Sequence, residues 1–355
     1  RFEVALSGDD IVVRIPEKIS KSRIPDMASP DPRRDPRTFV ILGAGAAGNA
    51  AAQSLRQNGF QGKILLVSHE SDLPYDRPNL NKDYLLGEIK DEWMPLRSEK
   101  FFQNRGIELL LGRKVTTVDI TARTIKFEKS DTISYDKLLL ATGCSPRKLN
   151  VPGEDMKNIF TLRSYADSKS IVKTCEKASR TVIIGSSFIG LEAAANLRKR
   201  GLQVTVVSQE AVPFAKVFGP EIGAMFRRFH EENGVTFHLE TAVENFEGAE
   251  KVEAVMLKNG TRIETDMVLI GIGVSPNTAY LQGVPKESDG SIKTDTYFRA
   301  AEDVYAAGDI ARFPDWRSGE YIRIEHWRTA EQHGRDAALN MAGKPTPNLN
   351  VPFFW

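Results

Sequence analysis

Two glycine-rich turns, each set between a short apolar run and a helical pattern, constrain this chain more than any other feature. The first reads Phe39-Val40-Ile41-Leu42-Gly43-Ala44-Gly45-Ala46-Ala47-Gly48, and the second Thr181-Val182-Ile183-Ile184-Gly185-Ser186-Ser187-Phe188-Ile189-Gly190. A lone turn of this kind is weak evidence, because small residues serve many tight turns. Here each is preceded by β-branched residues, followed by an Ala/Leu/Arg-rich helical stretch, and closed by a second apolar run, at 64–67 and 204–207. That order describes a βαβ unit, whose helix start turns its N–H groups toward a phosphate. Two such units predict an α/β fold with two Rossmann-like dinucleotide-binding domains.

A length of 355 residues accommodates two or three domains with buried cores. Hydrophobic content of 41% and charged content of 27% are those of an ordinary globular chain. The net charge of +1 supplies no broad field to attract nucleic acid or an anionic membrane. No apolar run approaches the roughly 18 residues of a membrane-spanning helix. The two cysteines, Cys144 and Cys175, fall in no C-x-x-C or C-x4-C spacing. They exclude a disulfide framework, fit a reducing intracellular setting, cytoplasmic or mitochondrial, and read as packing residues; no metal site is expected. The chain starts at Arg1 and reads as a fragment, so targeting peptides lie outside the reading.

Residues 1–15 read as a hairpin turning at Ser7-Gly8-Asp9-Asp10, and the stretch from Ile24 through Pro36 as an extended, proline-rich linker. Residues 1–37 are thus expected to be the tail of an upstream domain. A first nucleotide unit is expected over 38–160 and 276–350, with its helix over about 46–58. A second is expected over 161–275, and 351–355 read as the start of a further domain. Within the first turn, Gly43 permits the tight bend, Gly45 lets the backbone approach a pyrophosphate, and Gly48 allows close helix–strand packing, with Ala46 and Ala47 opening the helix. Glu70, just past the second strand, is placed to accept from ribose hydroxyls.

Further segments extend the pattern: Leu73-Pro74-Tyr75-Asp76-Arg77-Pro78-Asn79-Leu80-Asn81-Lys82, Leu138-Leu139-Leu140-Ala141-Thr142-Gly143 and Val304-Tyr305-Ala306-Ala307-Gly308-Asp309. With Glu325-His326-Trp327 and Ala330-Glu331-Gln332-His333-Gly334-Arg335, they make the chain resemble ferredoxin-reductase-type flavoproteins, and among them the apoptosis-inducing-factor-like branch. The likeness runs over residues 38–355, with Asn81 standing where Ser is usual. It implies a glutathione-reductase-like FAD/NAD(P)-binding fold. By the same resemblance Arg77 would offset pyrophosphate charge and Lys82 would lie beside flavin N5 and O4. Ala141, Thr142 and Gly143 would let the dinucleotide pass, and Val115 would meet adenine through its backbone. Arg163 would lie on the flavin side, Asp309 would accept from a ribitol hydroxyl beside Gly308, and His326 and Trp327 would lie near the isoalloxazine ring. Singly, Arg77 and Lys82 read as surface charges, Asp309 as a helix N-cap and Trp327 as a core residue.

The second turn departs from the rule at Ser187, which replaces the middle glycine and offers a hydroxyl in place of close backbone approach. Phe188-Ile189-Gly190-Leu191-Glu192 resembles the family segment that faces nicotinamide, so Glu192 reads either as a partner of the carboxamide or as a first-turn acid favoured by the helix dipole. Ser208 ends the next strand where NADH-preferring relatives carry Glu, leaving NADH against NADPH open with a lean to NADH. Gly271-Ile272-Gly273 resembles the segment that borders the nicotinamide pocket.

The implied activity is an FAD-dependent NAD(P)H oxidoreductase, with Lys82 and Glu192 at the reacting centre. Electrons would pass to an iron–sulfur carrier or to a Rieske domain fused upstream, whose [2Fe–2S] ligands are outside this sequence. Alternatives are a monodehydroascorbate-reductase or NADH-oxidase-like enzyme, and an NADH-responsive redox-sensing flavoprotein with little turnover.

Overall fold

Strand Thr38–Leu42 buries four residues in succession, the pattern of a parallel strand covered on both faces. The computed structural model describes residues 3–15 and 26–352 and sets this strand at the centre of a six-stranded sheet. From Thr38–Leu42 the chain runs through helix Ala46–Gln57 into Lys63–Val67, which pairs with it in parallel, Leu42 opposite Val67. Ile107–Leu110 adds outside Lys63–Val67. An antiparallel meander over Val115–Asp119, Thr124–Phe127 and Thr132–Ser134 follows. Lys137–Leu140 then returns to the opposite side of Thr38–Leu42, and Val304–Ala306 adds beyond it. The winding therefore reverses between Thr38–Leu42 and Lys137–Leu140, at whose carboxyl ends an open α/β sheet offers a ligand crevice.

A second sheet repeats the plan. Its five parallel strands lie in the order Ile159–Thr161, Met267–Ile270, Arg180–Ile184, Gln203–Val207 and Val235–His238. The reversal falls between Arg180–Ile184 and Met267–Ile270. Ile159–Thr161, which straddles the expected boundary at 160, pairs within this sheet. An antiparallel ladder of Cys144–Pro146 against Val274–Pro276 stitches the two units together.

Helix Trp327–Met341 packs across Ala46–Gln57 at small residues: a Cβ on Gly334 would lie 2.0 Å from the Ala47 carbonyl oxygen. Arg56, wholly buried, donates to the carbonyls of Arg105, Phe60, Gly62 and Gly106 at 2.7–2.9 Å, tying the end of its helix to two loops. Residues 26–36 lie against this unit, not extended away from it. The Ala28 N–H donates to the Arg56 carbonyl at 2.8 Å and the Asp31 N–H to that of Gln61 at 2.8 Å. These backbone bonds overcome the extended preference of the prolines. The hairpin forms from Glu3–Ser7 and Asp10–Arg14. Phe2, Ile24 and Pro25, and residues 353–355 lie outside the described residues. Among the described residues, no helix is long and apolar enough to cross a membrane.

Candidate functional site

Gly43 turns at the carboxyl end of its strand with φ +107°, and a Cβ there would lie 2.1 Å from the Ala141 carbonyl oxygen. Gly185 turns with φ +110°, and its Cβ would lie 2.3 Å from the Gly271 carbonyl oxygen. Only glycine adopts this backbone while two strands run so close. The Gly43 N–H donates to Val67 and the Gly185 N–H to Val207, both at 2.8 Å. Gly48 and Gly190 sit against the carbonyls of Gly43 and Gly185, bringing each helix close to its turn.

Both helix starts are built to face an anion. Gly45 and Ser187 occupy the N-caps in extended backbone, neither makes a side-chain cap bond, and neither helix has an acid in its first turn. The uncapped N–H groups present a positive end suited to a pyrophosphate. A Cβ on Gly45 would meet nothing within 4 Å, and Gly45 opens on a cleft whose lining includes Ser68, Glu70, Pro74, Tyr75 and Arg77. Ser187, at φ −100°, needs no glycine conformation, so its side chain fits this turn without strain. It is exposed, as are Phe188 and Ile189 after it. Ala46 and Ala47 are buried, and Gly308 packs against the Cβ of Ala47.

Polar contacts link four of the candidates, Glu70, Arg77, Arg163 and Asp309, in one line. Glu70 accepts from Tyr75 Oη and from Arg77 Nη2, each at 2.6 Å. Burial pushes the Glu70 carboxyl up, but the Arg77 charge and the Tyr75 and Arg77 hydrogen bonds outweigh it and hold the group below its ordinary value. Arg77 also donates through Nη1 to the Arg163 carbonyl. The Arg163 guanidinium reaches the Cys144 carbonyl at 2.9 Å and Asp309 Oδ2 at 3.3 Å. Val115 starts its strand just after Gly112 and Arg113, whose N–H groups donate to Glu70 and Ser68 carbonyls.

Thr142 Oγ1 donates to the Asn277 carbonyl at 2.7 Å, and the Asn277 N–H donates to the Gly143 carbonyl at 2.9 Å. Gly271 closes the second crevice with an N–H bond to Ile184, and beyond Ile272 the Gly273 carbonyl accepts from the Arg147 N–H. His326 caps helix Trp327–Met341, its pKa lowered by burial, and Trp327 packs half-buried on the first unit's core. Ser208 is buried at the end of Gln203–Val207.

Lys82 and Glu192 join the two units. Lys82 Nζ donates to Glu192 Oε1 at 2.5 Å, and Asn81 Nδ2 donates to the other carboxylate oxygen. Glu192 stands beyond the first turn of helix Phe188–Lys199, which removes the reading of it as a first-turn acid. Asn81 has a use of its own here, since its carbonyl is in turn held by Asn196 Nδ2 at 2.8 Å.

Sequence reasoning passed over Arg323, whose side chain is 13% exposed. It donates to the Asp309 carbonyl at 3.1 Å, to Glu325 at 2.6 Å and to Asp289 at 3.0 Å, so it braces both the Asp309 turn and the entry to the last helix. No local pattern signals such a residue, because Asp289 and Asp309 reach it from 34 and 14 residues away. Cys144 lies beside it. Burial, helped by the charges of Asp309 and Glu325, pushes the Cys144 thiol up to about 12, and Cys175 is buried against Met267. Among the described residues no cluster of His, Cys, Asp and Glu could hold a metal ion.

Comparison with known proteins agrees with this geometry. The chain is 36% identical to human Apoptosis-inducing factor 3 over 89% of its own length and 52% of that protein. It is 37% identical to rhodocoxin reductase of Rhodococcus erythropolis over 90% of its length and 75% of that protein. It spans half to three quarters of these relatives. Its fold superposes on putidaredoxin reductase, solved in a covalent complex with putidaredoxin, with a TM-score of 0.85 and 32% identity, covering 90% of this chain and 78% of that one. Residues 37–334 match the family described as pyridine nucleotide-disulphide oxidoreductase. With the doubled sheet-and-turn plan, these matches establish that the chain belongs to the pyridine nucleotide-disulphide oxidoreductase family.

Proposed function

We propose that this chain is an FAD-dependent NAD(P)H oxidoreductase of ferredoxin-reductase type, which takes hydride from nicotinamide and passes electrons to an intracellular iron–sulfur carrier, separate or fused. The observation that carries the reading is the Lys82–Glu192 pair, because it joins the two nucleotide units one helical turn from the exposed Ser187-Phe188-Ile189 segment. Bound FAD would supply the redox chemistry, accepting two electrons together and releasing them singly. The protein's part is to bind, orient and exclude water.

The helix start at Ala46–Gln57 would hold the FAD pyrophosphate, with Arg77 offsetting its charge. Two hydrogen bonds leave Glu70 with lone pairs for a ribose hydroxyl, since a carboxylate offers about four acceptor positions. Asp309 would accept from the ribityl chain while Arg163 steadies it. Lys82 would keep a positive charge at the flavin edge, oriented by Glu192. The second helix start would bind the nicotinamide dinucleotide, with Phe188 and Ile189 walling the space between the units. Neither cysteine is placed as a redox relay: Cys144 is buried with its thiol held protonated, and Cys175 lies in the second unit's core.

The ferredoxin-reductase and putidaredoxin-complex relatives support the choice of acceptor. A competition assay tests it: NADH oxidation is followed with a [2Fe–2S] ferredoxin, monodehydroascorbate or dioxygen as the acceptor. Fastest turnover with the ferredoxin is the expected result. Faster turnover with either small acceptor would overturn the assignment.

A further inference from the structure

Helix Ala215–Glu232 breaks at Gly219, whose φ is +80°, and restarts at Pro220, a residue suited to a helical first position. From there residues 220–232 turn one face inward. Gly223 and His230 are buried, and Phe226 packs on the second unit's core. A Cβ on Gly223 would lie 2.4 Å from the Pro213 carbonyl oxygen, so close seating fixes the rotation of the helix about its axis.

That rotation sends a second apolar stripe outward. Ile222, Met225 and Phe229 follow one another at steps of three and four residues, the spacing of a seam between paired helices. They are 43%, 45% and 61% exposed. Val217 and Phe218, just before the break, are exposed as well and lengthen the patch. Single exposed apolar residues are ordinary, whereas a continuous stripe marks an interaction surface.

The charges beside the stripe name the partner. Arg227 is satisfied within the helix by Glu231 at 2.8 Å. Glu221 and Arg228 lie seven residues apart on one flank of the stripe, both exposed, and among the described residues neither is in an ion pair. Seven residues span about 10 Å of helix. Opposite charges so placed are complementary to the same helix run antiparallel. A two-fold axis beside Ala224 and Met225 sets Glu221 against Arg228 of the second copy, and Arg228 against the Glu221 of that copy. The same register drops Ile222 between Met225 and Phe229 of the second copy, and the small, exposed Ala224 lets the two helices approach.

We infer that this face is a homodimer interface, in which residues 220–232 of two copies pair antiparallel over Ile222, Met225 and Phe229, with Glu221 and Arg228 bridging between the copies. The stripe is smaller than a standard interface of about 1,600 Å², so the dimer is reversible, with a Kd on the order of 10 μM. The rim charges set the register more than the affinity.

Sedimentation velocity of the purified chain over roughly 1–200 μM tests this, with circular dichroism reporting the fold of each variant. The native chain should pass from monomer to dimer across that range. Met225→Glu, at an exposed position, should keep the fold and raise Kd by about tenfold or more. Glu221→Arg sets two arginines face to face and should raise Kd roughly three- to tenfold. Adding Arg228→Glu to it exchanges the two signs and should return Kd to within about twofold of native. A native chain that stays monomeric throughout overturns the inference. So does a folded Met225→Glu variant that dimerises like the native chain, or a double exchange that binds no tighter than Glu221→Arg alone.

Discussion

Replacing Lys82 by Met separates a structural role of the Lys82–Glu192 pair from a chemical one. Lys82 Nζ lies 2.5 Å from Glu192 Oε1, yet the two side chains remain 40% and 38% exposed. A pair that open to solvent contributes at most about 1 kcal/mol to stability. Methionine also preserves much of the apolar stem of lysine. The thermal midpoint should therefore fall by no more than about 4 °C. The chemical effect should be larger. Negative charge gathers at the flavin edge on reduction, and loss of one preorganised donor at such a site costs on the order of a hundredfold in rate. Solvent access to Lys82 lowers that expectation to roughly ten- to a hundredfold. Anaerobic stopped-flow bleaching by saturating NADH measures the rate, with flavin content and unfolding recorded on the same sample. Glu192→Gln, which leaves the lysine charge in place, should slow reduction less. A flavin-loaded Lys82→Met variant that is reduced at the native rate would refute the chemical role.

Three further outcomes follow from the geometry. Gly43→Ala forces a side chain into left-handed backbone and onto the Ala141 carbonyl at 2.1 Å, so it should cost more than about 3 kcal/mol and yield protein with little flavin, read by absorbance ratio and thermal melt. Cys144, 3% exposed with its thiol pushed up to about 12, should resist alkylation in the native state, and Cys144→Ala should keep NADH-dependent reduction within about twofold. His333, packed between Phe298 and Phe313, is driven by burial from 6.5 down to about 3. Below pH ~6.5 the unfolded chain takes up a proton that the folded chain refuses, so stability falls with pH across that window, by about 2 kcal/mol at pH ~5. Acid unfolding curves should flatten there in His333→Leu.

The strands and turns of both units were legible because their causes are local. A strand leading into φ above +100° beside another backbone leaves glycine as the one workable residue, and Gly43 and Gly185 announce themselves for that reason. Of the residues singled out by resemblance, Arg77, Arg163 and Asp309 share one polar line with Glu70, yet the contacts that build the line were not readable in the sequence. Asn81 looked like a departure from pattern and is a second donor to Glu192. Arg323, held by Asp289, braces the Asp309 turn from a distance. The proline-rich stretch misled because its composition favours extension, whereas the carbonyls of Arg56 and Gln61 hold residues 28 and 31 onto the body. Long-range pairing leaves no periodicity to read.

The most direct test is an anaerobic visible titration of the purified chain, loaded with FAD, by NADH and then by NADPH. Two nucleotide units joined through Lys82 and Glu192 should give a flavin band that bleaches with about one equivalent of NADH and needs more NADPH. A flavin-loaded chain that neither nucleotide bleaches would contradict hydride transfer between the two sites, and a folded chain that takes up no FAD would contradict the first site itself.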